Sequence, residues 1–147
     1  MENIKEFVEL VIKGETDLAK SPGAGIVVVR KFKNDWKVLG LKLNGAYDLP
    51  KGKTDGEETP FETAVRETYE ESGVDQLKFT WGMESIAIKH LTFFLAETYQ
   101  DAYIPQNPES GIYEHDSAEW VSFDTIRSGA YGYLVPIIDW AQSIVIK

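Results

Sequence analysis

A chain of 147 residues that is 43% hydrophobic and 12% aromatic suits one globular domain with its own core, and excludes a disordered tail. Twenty-four acidic against 15 basic residues leave a formal net charge of −9, which argues against diffuse binding to nucleic acid or an anionic membrane. With no cysteine there is no disulfide framework, thiolate nucleophile or thiolate metal site, and a cytoplasmic protein is expected.

The opening residues lack the basic flank and apolar run of a signal peptide, and no stretch approaches the roughly 20 apolar residues that span a bilayer. Ile4, Phe7, Val8, Val11 and Ile12 share a face over 2–13, which predicts an amphipathic helix. Gly23–Phe32 and 36–43 read as strands with Asn34 and Asp35 in the turn between them, and 44–53 as a loop carrying Pro50 and Gly52. Thr59, Pro60 and Glu62 start a helix through a cap, a first-turn proline and a capping box, and Gly73 stops it. Further strands are expected near 77–82 and 85–97, then a surface loop over 100–111 with Pro105 and Pro108. A strand at 119–123, a short helical turn over 122–126 and a last helix follow. Pro136 opens that helix, and Ile137, Ile138, Ala141, Ile144 and Val145 line its inner face. Strands interspersed with three helices predict an α/β or α+β sandwich, with helices covering a mixed sheet.

The central helix poses an electrostatic problem. Six glutamates and one aspartate fall within 55–71, and Arg66 is the one basic residue among them. At helical spacing Phe61, Ala64, Val65, Thr68 and Ser72 face inward, while Glu67, Glu70 and Glu71 share another arc. Arg66 lies one turn from both Glu62 and Glu70 and can pair with either. Like charges at this spacing cost on the order of a few tenths of a kcal/mol per pair. Acids near a helix C-terminus cost roughly 0.3–1 kcal/mol each. A solvated acidic face is the ordinary explanation of such a run, but a single arginine leaves it poorly compensated. A bound divalent cation would remove both penalties. Carboxylate oxygens select a hard ion, Mg²⁺ ahead of Mn²⁺ or Ca²⁺.

Gly52, Glu58, Arg66-Glu67, Glu70-Glu71 and Gly73-Val74 resemble the Nudix box at every position of fixed identity, with Thr68 where an aliphatic residue is usual. The resemblance implies the Nudix fold in a single domain over 1–147 and hydrolysis of a nucleoside diphosphate linked to another moiety. It further implies that Glu67, Glu70 and Glu71 hold Mg²⁺ (or Mn²⁺) with the Gly52 carbonyl, while Arg66 and Glu58 brace the loop and helix. Glu70, or failing it Glu114, is the expected general base.

Outside the box, GAGIVVVR at 23–30, PKG at 50–52, RET-x-EE at 66–71, and KHLTFFLAE with EH-x4-W downstream are similar to the asymmetric diadenosine-tetraphosphate hydrolases. This resemblance covers about 23–126 and leaves 1–20 outside it. It implies a small-molecule nucleotide substrate cleaved to ATP and AMP. Lys51, Lys89 and His115 are candidates to meet phosphate. Phe93, with Tyr131 or Tyr133, is a candidate to enclose adenine, and Tyr47 stands where tryptophan is common. Each also has a plain alternative: solvated lysines, a structural histidine, core aromatics. ADP-ribose, RNA 5′ ends and inositol pyrophosphates remain alternative substrates, although the acidic surface weighs against the last two. A non-catalytic nucleotide sensor is the alternative from another class, and retention of every box acid weighs against it. The oligomeric state is open.

Overall fold

A computed structural model describes residues 22–147, so the helix expected over 2–13 lies outside the described residues. The apolar run Gly23–Phe32 forms β1, and its alternation feeds two cores at once. Val27 and Val29 point into one; Ala24, Ile26 and Val28 point into the other. A strand apolar on both faces has to be covered on both faces, and β1 is.

Six further strands complete a mixed sheet: β2 (Asp35–Leu43), β3 (Ala46–Asp48), β4 (Lys51–Lys53), β5 (Ile86–Ile88), β6 (Leu91–Glu97) and β7 (Ser117–Val121). The order is β3-β2-β1-β6-β5, with β4 also paired to β1 and β7 to β2. Of the strands among the described residues only β1 and β6 pair in parallel, in register from Gly23↔Leu91 to Val29↔Glu97. On one face lies α1 (Pro60–Ser72), packed on β1, β4 and β6. On the other, α2 (Phe123–Gly129), a 3₁₀ turn at Gly132–Leu134 and α3 (Val135–Val145) bury Phe123, Ile126, Leu134, Ile137, Ile138 and Ala141 against Val27, Phe93 and Leu95. This is the expected α/β sandwich.

Local chemistry sets α1. Thr59 accepts from the Glu62 N–H while Glu62 accepts from the Thr59 N–H, closing the capping box. Gly73 ends the helix at φ 75°, a left-handed conformation that favours glycine, and its N–H donates to the Tyr69 carbonyl.

Several elements differ from expectation. The first turn falls at Lys33 and Asn34, one residue early, because β2 begins at Asp35. The expected loop 44–53 contains β3 and β4, whose register places Gly52 opposite Ala24. Residues 77–82 form no strand but a single bridge, Lys78↔Glu97, after which the chain turns with the Gly82 N–H bonded to the Phe79 carbonyl. The single strand expected over 85–97 is a hairpin turning at Lys89 (φ 59°) and His90. β7 stops at Val121 because Ser122 leaves the sheet to cap α2, accepting from the Thr125 N–H.

Thr68, the departure from the aliphatic pattern, is fully buried on α1, and its hydroxyl has no hydrogen-bond partner among the described residues. An unpaired buried hydroxyl costs about 1–3 kcal/mol. Thr68→Val is therefore expected to stabilise the protein by about 1 kcal/mol. Urea denaturation measures this, and a lowered midpoint would show that the hydroxyl is paired after all.

Candidate active site

Arg66 is the hub of the acidic cluster. Its Nε and Nη2 donate to the two oxygens of Glu58 at 2.7 and 2.9 Å, a bidentate pair joining the loop before α1 to the helix. Its Nη1 reaches Glu67 at 2.9 Å and Glu70 at 3.2 Å, and Nη2 also donates to the Lys53 carbonyl at 2.9 Å. Of the two partners expected for Arg66, Glu70 is taken and Glu62 is committed to the capping box. The bond from Arg66, with one from the Asp55 N–H, holds the Glu58 carboxyl down at about 2.

Two of the other acids, Glu67 and Glu71, are pushed toward the protonated form. Burial pushes Glu67 up to about 7, with Glu70 and Glu114 adding repulsion against the opposing pull of Arg66. Burial likewise drives Glu71 well above the usual range, reinforced by Asp48 and Glu67. Glu70, with 54% of its side chain exposed, is the freest of the three.

Behind Glu71 lies a buried network. The Lys51 N–H donates to Glu71 Oε1 at 3.1 Å, and the Lys51 ammonium donates to Asp48 Oδ2 at 2.8 Å. His115 Nε2 meets the same Asp48 oxygen at 3.1 Å, and the Tyr133 hydroxyl lies against Lys51. Burial opposes charge on Asp48, but Lys51 and His115 outweigh it and hold its carboxyl below the usual range. Asp48 had no signal in the sequence beyond lying three residues before Lys51.

The acids open onto a cleft of about 740 Å³ lined by Gly52, Lys53, Glu67, Glu70, Glu71 and Glu114, among others. The structure thus gathers Gly52, Arg66, the three box acids, Glu114 and His115, with Glu114 held by the Asn107 amide at 3.1 Å. Other candidates are corrected. Lys51 is turned inward to Asp48, off the cleft wall; Lys53, missed by sequence reasoning, is the exposed cation there, and its ammonium has no acid partner among the described residues. Lys89 sits at the exposed β5–β6 turn, away from the cleft lining. Phe93 is fully buried in the core and offers no ring face to a ligand. Tyr47 is buried too, its hydroxyl donating to Glu119 at 2.7 Å. Tyr131 and Tyr133 stack on each other with ring centroids 6.3 Å apart, packed on the core rather than lining the cleft.

The donor set suits a hard divalent cation: oxygen donors only, two of them on carboxylates whose charged form burial disfavours. Gly52 belongs to the same arrangement, since a Cβ there would collide with the Glu67 carboxylate. Among the described residues no three acids or histidines are yet drawn together at metal-ligand geometry, because Glu67 and Glu70 face Arg66 and Glu71 faces the Lys51 N–H.

Comparison with known proteins places this arrangement in context. The family model described as NUDIX domain matches residues 19–141. A comparison with curated proteins returned no match. Among solved structures, the C. elegans Ap4A hydrolase aligns with a TM-score of 0.63 at 21% identity, covering 86% of this chain and 98% of that one. The NUDIX domain of Shewanella oneidensis NrtR complexed with ADP ribose aligns at 0.58 and 17% identity, covering 84% and 86%. The E. coli dihydroneopterin triphosphate pyrophosphohydrolase aligns at 0.57 and 15%, covering 84% and 96%. Identities this low establish a shared fold, and the differing ligands show that this fold does not choose the substrate.

Two outcomes follow from the geometry. Gly52→Ala displaces a flexible carboxylate rather than backbone, so thermal melting is expected to shift by only a few degrees while Mg²⁺-dependent turnover falls at least about tenfold. Wild-type turnover in that variant would remove Gly52 from the site. A carboxyl raised from 4.5 to about 7 by folding stabilises the protein below pH 4.5, and that contribution is lost as pH rises through about 7. In EDTA the melting temperature is therefore expected to fall across this window, less steeply in Glu67→Gln, and Mg²⁺ to recover it. A wild-type profile as flat as that of Glu67→Gln would count against the buried acid.

Proposed function

The chain belongs to the NUDIX domain family of hydrolases, and we propose that it is a divalent-cation-dependent pyrophosphohydrolase acting on dinucleoside polyphosphates such as diadenosine tetraphosphate. One observation carries the proposal: Glu67, Glu70, Glu71, Glu114 and Gly52 converge on a cleft that is also lined by Lys53, a cation without an acid partner among the described residues. Such a wall repels a polyphosphate by itself and suits one neutralised by a bound ion. The dinucleoside substrate is supported by the stretches at 23–30, 50–52, 66–71 and 89–120 that resemble the asymmetric hydrolases. No helix among the described residues is long and apolar enough to cross a membrane, and the proposed partner is a small nucleotide in the cytoplasm.

Glu67, Glu70 and Glu71, with the Gly52 carbonyl, would hold the ion, Mg²⁺ or Mn²⁺. When bound, it supplies neutralisation of phosphate charge and acidification of water. Arg66 fixes Glu67 and Glu70 in place, and its bonds to Glu58 and to the Lys53 carbonyl keep the end of β4 and the loop after it against the helix. Glu70, the most exposed of the three, takes the proton of the attacking water. Glu114, which lines the same cleft, is the alternative. As the new P–O bond forms in line, the bridging P–O bond breaks, and one nucleotide leaves as ATP with AMP as the other product. Lys53 lies where it can offset the charge that builds on the phosphates.

Product analysis with and without Mg²⁺, offering diadenosine tetraphosphate, ADP-ribose and 5′-triphosphorylated RNA in parallel, tests the reading. Preferred conversion of the first to ATP plus AMP is expected. Preference for another substrate would replace the substrate assignment, and binding without turnover of any would favour a nucleotide sensor. Glu70→Gln is expected to lower kcat by at least about a hundredfold with melting unchanged. Near-normal turnover there would move the base to Glu114.

A further inference from the structure

The stretch of cleft wall before Glu114 is a loop folded around one residue, Asn107, which uses every polar group it has. Its N–H donates to the Ile112 carbonyl at 2.9 Å, and its own carbonyl accepts from the Gly111 N–H at 2.7 Å. Its Oδ1 accepts from the N–H groups of Glu109 and Ser110 at 2.8 and 3.2 Å, a side-chain turn that asparagine favours. Two backbone donors at one end of the amide fix that end as oxygen, so the other end is the NH₂. That group donates to Glu114 Oε2 at 3.1 Å.

The chain beyond Glu114 is pinned as well. His115 is buried, and its Nε2 meets Asp48 Oδ2 at 3.1 Å. Asp48 is buried in turn and bonded to the Leu49 N–H and the Lys51 ammonium. With its neighbour anchored, Glu114 stands exposed on the cleft with only its side-chain torsions left to vary. Fixing them costs rotamer entropy, and the Asn107 amide meets that cost before any ligand arrives. An amide carries no charge. Unlike Arg66 on Glu58, it orients a carboxylate without neutralising it. Glu114 is also near enough to Glu67 for its charge to oppose ionisation there, so its orientation bears on whatever those acids bind.

We propose that Asn107 is a positioning residue, whose amide holds the Glu114 carboxylate in its working orientation within the cleft shared with Glu67, Glu70 and Glu71. The inference rests on the hydrolase reading above and assigns the loop over 107–114 a part in the reaction. Asn107 itself lines the cleft, so direct contact with substrate is the competing role.

Asn107→Ser separates the loop from the donor, because a serine hydroxyl can accept from the same N–H groups but is too short to reach Glu114. NMR side-chain couplings of Glu114 are expected to report one χ1 rotamer in the wild type and an average of several in this variant. On diadenosine tetraphosphate with Mg²⁺, kcat should fall roughly tenfold in Asn107→Ser while KM stays within about twofold. Asn107→Asp, which keeps the acceptor but sets an oxygen against Glu114, should lower kcat at least as far. Glu114→Gln should do the same, and adding Asn107→Ser to it should cost nothing further. Averaged couplings in the wild type, or one rotamer retained in Asn107→Ser, overturns the positioning role. An equal loss from Asn107→Ser with and without Glu114→Gln, or a raised KM at unchanged kcat, overturns it in favour of a purely structural or a substrate-contacting residue. Wild-type turnover in any of the single variants overturns it while sparing the hydrolase reading. An Asn107-dependent Glu114 rotamer in a protein that turns over no nucleotide supports the clamp and sinks the hydrolase reading instead.

Discussion

One guanidinium stands between this protein and the repulsion of its own carboxylates. Arg66 binds Glu58 through two parallel bonds and touches Glu67, Glu70 and the Lys53 carbonyl, so a single side chain ties the loop before α1 to the helix that carries the acids. A planar fork with five donors can serve four partners in this way; an ammonium cannot. The arrangement is also incomplete by construction. Glu58 is satisfied and strongly acidic, whereas Glu67 and Glu71 are buried with too little positive charge nearby. The molecule thus keeps a firm bracing pair beside a pair of carboxylates suited to accept a cation, and burial makes the difference, since Arg66 touches Glu67 at 2.9 Å as it does Glu58.

The sheet serves this cluster by bringing two remote backbones close. β4 pairs with the start of β1, which sets Gly52 against Ala24 and lets the Glu67 carboxylate approach where any larger residue would intrude. The same short strand turns Lys51 inward to Asp48 and leaves Lys53 outward on the cleft. Alternation would set both lysines on one face of the strand, so it is the Asp48 carboxylate that draws Lys51 inward, while Lys53 stays exposed at the cleft.

What the sequence makes legible are features written in local chemistry. The start and stop of α1, the twofold burial of β1 and the inner face of α3 depend on neighbours along the chain, and the acids of the site share a helical arc for the same reason. The errors arise where tertiary contacts decide. Leu77, Phe79 and Trp81 alternate as a strand would, yet Leu77 and Phe79 pack into the core under α1 and Trp81 into the opposite one, because the chain turns after a single bridge. The β5–β6 turn uses Lys89 in a conformation that glycine or asparagine would have announced. Among the aromatics, identity does not distinguish a packing ring from an open one: Phe93 is closed off by its place on β6, and Tyr103 and Tyr113 are open because an irregular loop carries them.

The parallel pairing of β1 with β6 joins strands separated in the chain by β2 to β5 and α1, and both cores rest on it. Neither core can then loosen alone, since parting these two strands exposes the inner face of α1 and of α3 together. Amide protons along β1 are accordingly expected to exchange with solvent only when the whole domain opens, at its full unfolding free energy. Those of the loop over 100–116, held by scattered bonds at the surface, exchange through local excursions. The protein thereby divides its rigidity: β1, on which β4 and the acid-bearing helix pack, belongs to the part that opens last, and the loop over 100–116, whose residues also line the cleft, belongs to the part that yields most readily.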